Sequence, residues 1–563
     1  MNKHTAQLLE QHFDTAFAAP DGIAKLRELI LTLAMQGKLV EQDPNDPPAS
    51  ELLKEIEAEK QQLVKADKIK PPKPLPPIKP EEVPYELPQG WEWVRLGEIG
   101  IINPRNDVQD SEMAGFVPMP LIPEGYSEKH QFEERPWSEI KKGYTHFADG
   151  DVGMAKITPC FENAKSCVFS GLPNGVGAGT TELHIFRNSF NSVVSRFLLY
   201  YLKNPHYISK AVPSMTGSAG QKRVPTPYFT EQLIPLPSIA EQHRIVVRID
   251  QLMDCCDELE KLRKAREAQR LAVHAAAIKQ LLDTPDGLAW DFIQKHFGEL
   301  YTVKENVAEL RKAILQLAVM GRLVPQDPND APASELLKEI EAEKQRLIKA
   351  GKIKRPKPLP PIKPEEVPYE LPQGWRWVKL GELANFIDYR GKTPKKVGEG
   401  IPLITAKNIR FGYINREPRE YVTEEEYTRW MTRGFPKVGD LLFTTEAPLG
   451  NVAVVDIEEA FALAQRAICF GIYSREMSSF LKWLIMSAPI QELLNANATG
   501  MTAKGIKAAR LKELAFPVPP KKEQRRIVSK IDQLMILCST LETQIDTKAG
   551  KQTELLDAVM AQV

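Results

Sequence analysis

One stretch of this chain occurs twice, and that repeat constrains the fold more than any other feature. Residues 24–98 return as residues 308–382 at a constant offset. Roughly 60 of about 75 aligned positions are identical, and a fixed-period repeat has to be read before any local pattern. The first copy contains LVEQDPNDPPASELLKEIEAEKQQLVKADKIKPPKPLPPIKPEEVPYELPQGWEWVRLGE, and the second differs from it mainly by single substitutions. A shorter second repeat, residues 233–260, returns as 515–542. The segments between the repeats, 99–234 and 383–516, are nearly equal in length but diverged. The chain therefore reads as two tandem units, 1–285 and 286–563, that imitate a homodimer and should pack about a pseudo-twofold axis.

Each unit has the same parts in the same order. Leu26, Leu29, Ile30, Leu33 and Ala34 form one apolar helical face. Gly37 stands where a left-handed stop is needed, and Leu310, Ala313, Ile314, Leu317, Ala318 and Gly321 repeat the arrangement. Ser50 is the expected N-cap of the next helix. The run PPKPLPPIKPEEVPYELP holds too many prolines for helix or sheet and predicts an extended strap packed along its own protein. Trp91, Trp93, Val94 and Leu96 then predict a half-buried strand that enters a globular block.

The blocks mix short strands with helices, which gives α+β. Faint echoes link them. Gly150-Asp151-Val152 with Pro159 resembles Gly439-Asp440-Leu441 with Pro448, and Thr216-Gly217 resembles Thr499-Gly500. Each block exits through prolines into a long helix. Ile245, Ile249, Leu252, Cys256 and Leu259 make a heptad seam, as do Ile527, Ile531, Leu534, Cys538, Leu541 and Ile545. A helix over about 240–282 would be roughly 65 Å long. Its seam needs a partner, and the helix of the other copy is the expected one.

Composition narrows the function classes. No run of about 18 apolar residues exists, and the N-terminal residues lack a signal-peptide pattern, so a cytoplasmic protein is expected. Six cysteines without a CxxC pair argue against a disulfide framework or a zinc site. The net charge is +0, so any polyanion would have to meet local basic patches. Residues 375–520 carry about four more basic than acidic side chains, whereas 91–238 are about balanced.

The search for a reaction centre is mostly empty. No GxxxxGK[ST] and no HExxH occur, and GVGAGTT (175–181) lacks the lysine and the helix of a phosphate loop. Asn204-Pro205-His206-Tyr207 is one residue from the NPPY tetrapeptide of amino-methyltransferases, but it follows an amphipathic helix, where Asn-Pro ordinarily stops the helix. Asp151, Glu162 and Lys165 caricature a nuclease set with the wrong spacing. What remains is recognition. Lys and Arg alternate in loops with Gln, Asn, Thr and Ser, the side chains that meet phosphates and base edges. The DNA-contact candidates in the first block are Lys156, Asn163, Lys165, Thr180, Ser218, Gln221, Lys222 and Arg223. In the second they are Arg390, Lys392, Lys407, Asn408, Arg410, Gln465, Arg466, Thr502, Lys504, Lys507 and Arg510. Each is equally readable as a solvated surface residue. The glycine-flanked clusters TGSAGQKR and TGMTAKGIK are the stronger ones, because glycine lets backbone amides approach phosphate.

The helix ending Gly-(Lys/Arg)-Leu-Val, the DPNDxPASELL strap, LPxGWxWVxLGE and EQxRIVxxIDQLM together resemble the specificity subunit of a type I restriction–modification system. The resemblance covers essentially the whole chain in both copies. It implies two globular α/β target-recognition domains, separated by long conserved helices forming an antiparallel coiled coil, with internal pseudo-twofold duplication. The expected limits are an arm and strap at 1–90, recognition domains at 91–238 and 375–520, a central helical region at 239–374 and a terminal helix at 521–563. It further implies no catalytic site and no metal in this chain. The partners would be double-stranded DNA, two adenine methyltransferase subunits that bring S-adenosylmethionine, and two restriction subunits that bring ATP and Mg. Twofold-related readers one helical turn apart, roughly 34–36 Å, would meet the same face of a duplex. Diverged readers would read two different half-sites. The alternative is a self-contained DNA modification enzyme, or a fragment of one, with Asn204–Tyr207 as an atypical site.

Overall fold

The computed structural model describes residues 13–15, 17–67, 69, 71, 74–218, 220–284, 287–389, 394–500 and 504–561. The chain forms two compact units, one of residues 1–265 with 548–563 and one of residues 266–547.

In the first unit, helix α1 (Gly22–Met35) buries Leu29, Ile30, Leu31 and Ala34, the face that its apolar spacing marks out. Gly37 then turns with φ of 65°, and Lys38 N–H donates to Leu33 O at 2.8 Å. A Cβ at Gly37 would stand 2.4 Å from Pro88 Cγ, so glycine is required there for space as well as for conformation. Helix α2 (Ala49–Lys65) begins one residue before Ser50, with Pro48 at its N-cap and no side-chain cap. Ser50 is therefore not the cap. Its place is taken by backbone, because Ala49 N–H donates to Gly90 O at 2.8 Å and ties the helix start to the entry strand. The strap lies against its own unit: the buried Arg95 donates to Pro76 O at 2.7 Å and Glu231 O at 2.7 Å, and pairs with Glu82 at 2.9 Å.

The block that follows holds strands β1 (Glu92–Arg95), β2 (Ile101–Ile102), β3 (Met113–Val117), β4 (Glu133–Pro136), β5 (Thr145–Ala148), β6 (Val152–Ala155), β7 (Ser166–Val168), β8 (Val176–Gly179), β9 (Leu183–Arg187) and β10 (Leu233–Leu236). One sheet runs β2-β9-β6-β7, all antiparallel, and a second runs β4-β3-β8-β5 with β3 and β8 parallel. Strands β1 and β10 close the block as an antiparallel pair, Glu92 opposite Leu236 and Arg95 opposite Leu233. Helices α3 (Ser195–Leu202) and α4 (Pro205–Ala211) pack beside the first sheet, α3 through the fully buried Phe197, Leu198 and Leu199. The long helix α5 (Ile239–Asp283) leaves from β10.

The second unit repeats the plan. It contains α6 (Lys304–Val319), α7 (Ala333–Lys349), β11 (Arg376–Lys379), β12 (Ala384–Asp388), β13 (Ile401–Ile404), β14 (Tyr421–Val422), β15 (Leu441–Thr444), β16 (Val452–Val454), β17 (Ala462–Leu463), β18 (Ala467–Ile472), α8 (Ser478–Met486), α9 (Ala488–Ala496), α10 (Ala508–Glu513) and β19 (Ala515–Val518). Helix α11 (Lys521–Met560) leaves from β19. Its sheets run β12-β18-β15-β16 and β14-β13-β17, the second again with a parallel pair, β13 with β17. The four-stranded sheet repeats the strand order of the first unit although the sequences have diverged, while the other sheet has three strands where the first unit has four. The fold is α+β, with two like globular domains and long helices following each.

The repeated residues do the same work twice. Trp91 Nε1 donates to Glu241 Oε2 at 2.9 Å, and Trp375 Nε1 to Glu523 Oε2 at 3.0 Å. Asp46 pairs with Arg244 at 2.6 Å, and Asp330 with Arg526 at 2.7 Å. Most of each helix seam is covered by its own unit, although Leu259 of the first is exposed. Ile245, Ile249 and Cys256 are buried beside Ile30, Leu31 and Ala34, and Ile527, Ile531 and Cys538 join the core that contains Ile314 and Ala318. Each long helix is divided between units, α5 after Ala265 and α11 after Thr547. In the first unit, Leu556 of α11 is buried against Phe17, Ala19 and Leu29. The corresponding residues of the second unit are His274, on α5, and Tyr301, which share a buried hydrogen bond of 3.0 Å.

Candidate nucleic-acid interface

In the first unit three segments far apart in sequence meet at one rim. They are the turn after β6 (156–159), the turn between β8 and β9 (180–182) and a hairpin after α4 (216–223). Backbone bonds lace them together. Lys156 N–H donates to Glu182 O at 2.9 Å, Val224 N–H to Lys156 O at 2.8 Å and Thr158 N–H to Lys222 O at 2.9 Å. Thr216 and Arg223 exchange both of their bonds, at 3.0 and 2.8 Å. Irregular backbone at a block's edge is held rigid this way, because every buried amide must find a partner.

On this rim Ser218, Gln221 and Lys222 are exposed, and Lys156 and Thr180 half-buried. Thr180 Oγ1 accepts from Glu182 N–H at 3.2 Å, so its hydroxyl also shapes the turn. Arg223 is not a free cation. Its Nε and Nη2 donate to the two carboxylate oxygens of Glu182 at 2.9 and 2.8 Å. The Arg223 hydrogen bonds hold the Glu182 carboxyl below its usual range. Asn163 and Lys165 lie further on, in the turn from β6 to β7; Asn163 is exposed, and Lys165 Nζ approaches Met119 O at 3.5 Å.

The second unit builds its rim with most of the same backbone bonds. Ile506 N–H donates to Thr445 O at 3.0 Å and Thr445 N–H to Arg466 O at 2.9 Å, while Thr499 and Gly505 exchange bonds at 2.8 and 2.9 Å. Thr445 thus stands where Lys156 stands in the first unit, Glu446 where Ile157 stands, Arg466 where Glu182 stands and Gly505 where Arg223 stands. An ion pair is present again, Arg466 Nε to Glu446 Oε1 at 2.6 Å, but it is drawn from other positions. Arg466, Lys504 and Lys507 are exposed and Gln465 half-buried. A cavity of about 340 Å³ opens beside them, lined by Tyr389, Thr445, Gln465, Arg466 and Lys507. Arg510, on α10, is engaged by Asn497 Oδ1 at 2.8 Å and Glu513 at 3.1 Å.

Lys407, Asn408 and Arg410 belong to a separate turn after β13. Lys407 and Arg410 are exposed there. Asn408 does not fit a reading role, because it is buried with its polar atoms in use. Its Oδ1 accepts from Thr405 N–H at 3.0 Å and Thr405 Oγ1 at 2.9 Å, and its Nδ2 donates to Asn415 O at 3.1 Å and Pro418 O at 3.0 Å. It brackets the turn. Arg390, Lys392 and Thr502 lie outside the described residues. The rim residues that sequence reasoning missed are Glu182 and Glu446, because bases, amides and hydroxyls alone were sought there. The alignment of Asp151 with Asp440 carried the signal, because it places Thr445-Glu446 opposite Lys156-Ile157.

The two catalytic look-alikes are structural. Asn204 is buried and caps α4, its Oδ1 accepting from His206 N–H at 2.8 Å, and Tyr207 is buried with its hydroxyl 3.5 Å from Met154 Sδ. Asp151 is held by Arg187 at 2.9 and 2.7 Å and by Ala148 N–H at 2.7 Å. Among the described residues no group of three His, Cys, Asp or Glu side chains is placed to hold a metal ion. No described helix is long and apolar enough to cross a membrane.

The model of the type I restriction modification DNA specificity domain matches twice, at residues 88–270 and 372–549. The type I restriction enzyme EcoAI specificity subunit of Escherichia coli is 45% identical over 556 residues, covering 96% of this chain and 93% of the relative. The EcoEI specificity subunit of Escherichia coli is 42% identical over 563 residues, with the same coverage of 96% and 93%. Among solved structures, the HsdS subunit from Thermoanaerobacter tengcongensis aligns with 85% of this chain and 98% of its own, at 20% identity and a TM-score of 0.47. With two matched domains and near full-length relatives at 45% and 42% identity, this chain belongs to the specificity subunits of type I restriction–modification systems, the non-catalytic, DNA-recognising members of those systems.

Proposed function

We propose that the chain reads an asymmetric, bipartite DNA target, with one recognition domain on each half-site. The reading domains are residues 91–238 and 375–520. The arms and straps (1–90 and 239–374) and the terminal helix (521–563) are frame, on which two adenine methyltransferase subunits and the restriction subunits dock. S-adenosylmethionine, ATP and Mg belong to those partners, and the assembly works in the cytoplasm. One observation carries this reading: two rims share a backbone hydrogen-bond pattern and differ in nearly every side chain they present. Like scaffolds with unlike surfaces suit two unlike half-sites, where identical surfaces would suit a palindrome. Lys156, Lys222, Lys504 and Lys507 supply cationic contacts to phosphates, while the carboxylate-paired Arg223 and Arg466, together with Thr180, Ser218, Gln221 and Gln465, supply donors and acceptors for base edges.

The test is to map methylated adenines in DNA from cells carrying this chain with its partner subunits. Two different short sequences at a constant separation are expected. A palindromic target, or a single uninterrupted one, would overturn the reading.

A further inference from the structure

We propose that the rim ion pairs, Glu182–Arg223 and Glu446–Arg466, are the specificity-determining element of each domain: each carboxylate fixes its guanidinium so that the arginine reads one guanine of its own half-site. This rests on the reading above, that the rims face DNA.

The geometry of Arg223 is that of a pre-oriented reader. Three of its five N–H groups are taken, Nε and Nη2 by Glu182 at 2.9 and 2.8 Å and Nη1 by Gln221 O at 3.0 Å, which leaves one N–H on each of Nη1 and Nη2. Two N–H groups on one plane match the O6 and N7 acceptors of guanine. A long arginine side chain ordinarily loses much rotamer freedom on binding, and the carboxylate removes most of that loss beforehand. The acid also argues against a phosphate role, because a carboxylate beside a phosphate is repelled. Beside a G·C pair it meets the cytosine amino group, a donor. Arginine and glutamate together therefore present donors and an acceptor where that base pair presents acceptors and a donor.

Two further observations set the pairs apart from ordinary surface salt bridges, which add little to stability. The first is where they occur. Both rims carry one, yet from different positions: Arg466 occupies the turn that Glu182 occupies, while the partners, Arg223 and Glu446, lie on different segments. An inherited frame contact would have kept its positions, as Trp91–Glu241 and Trp375–Glu523 do. The second is Arg466 itself, whose φ is 72°. Residues with a Cβ adopt this left-handed conformation at a cost, and such outliers gather where a side chain must be aimed.

Glu182 and Glu446 are thus positioning residues, and the test must read base preference as well as affinity. The full chain, assembled with its methyltransferase subunits, is assayed on a library randomised in both half-sites. R223K is expected to lower the preference for guanine at one position of one half-site by about tenfold while leaving the other half-site unchanged, because lysine keeps the charge and loses the fork. E182A should reduce the same preference at the same position by less. R466K and E446A should act alike on the other half-site. R466G relieves the left-handed backbone, so it should lose that preference without lowering the melting temperature, which separates reading from folding. Unchanged base preferences in R223K and R466K would overturn the inference, as would a loss spread evenly over all sequences. That even loss would still leave the rims on DNA. Unaltered affinity for every sequence in the double variant K222A/R223A would instead remove the first rim from DNA and overturn both readings.

Discussion

Trp91 and Trp375 make the same bond to the same kind of partner, whereas Glu182 and Arg466 hold the same turn with opposite charge. The frame and the rim of this molecule have been free to change to very different degrees, and the cause is physical. A frame residue is buried among partners supplied by distant segments. Trp91, for example, shares Glu241 with Gln42, and an altered side chain would leave a cavity or an unpaired carboxylate. A rim residue gives its amide and carbonyl to the scaffold and its side chain to solvent. Backbone bonds do not depend on side-chain identity, so the rim keeps its shape while its chemistry is rewritten.

The largest expected effect breaks the comparison outright. Replacing residues 375–520 with the corresponding block of another specificity subunit should exchange one half-site and leave the other unchanged, lowering affinity for the original target on the order of a thousandfold or more. Methylation mapping reads the result, and a change in both half-sites would show that the frame takes part in reading. Next in size is the frame itself. Trp91→Ala and Trp375→Ala should each cost about 3–5 kcal/mol by loss of a buried indole and its bond to a carboxylate. Denaturant unfolding would measure it, and a large inequality between the two would mean the units are not equivalent in energy.

A pH effect should separate the units next. His184 is buried on β9, its Nε2 donating to Val224 O at 2.8 Å, while its Nδ1 has no partner among the described residues. Burial lowers its pKa from 6.5 to about 4. The unfolded chain therefore takes up the proton first as pH falls. Stability from this group is intact above pH 6.5 and is lost between there and about pH 4, by about 3 kcal/mol. Ile468 stands at the matching place on β18, so the second unit has no such dependence from that position. His184→Gln, which keeps a donor for Val224, should flatten this part of the stability–pH curve; an unchanged curve would refute it. The smallest effect sharpens the rim. Lys222→Ala should weaken binding evenly across sequences and lower the salt-dependence slope by about 1, as loss of one phosphate contact requires.

Much of the frame is legible in the sequence because it is written twice. Gly37 and Gly321 mark the helix ends, and the heptad steps mark α5 and α11 by spacing alone. Spacing does not reveal what covers each seam, since Ile249 beside Ile30 is a contact between segments more than two hundred residues apart. The rims are half legible. TGSAGQKR announces a hairpin, but its pairing with Lys156 and Glu182 depends on strand register, which no local pattern encodes. Asn408 and Gln221 look alike in sequence, as amides beside basic residues, yet Gln221 is exposed and Asn408 has its amide spent on four local bonds. Ser50 fails as a cap for a similar reason, because a distant carbonyl takes that role.

Leu556 has a consequence for synthesis. It fills the core at Phe17 and Leu29 from the far end of the chain, so the ribosome delivers one wall of the first unit only after the whole second unit has been made. At ordinary elongation rates the wait is on the order of tens of seconds. Until Leu556 is made, Phe17, Ala19 and Leu29 lack the side chain that they pack against in the finished unit. The second unit has no such delay, since its matching wall, near His274, has already been translated. The half made first is therefore the half finished last.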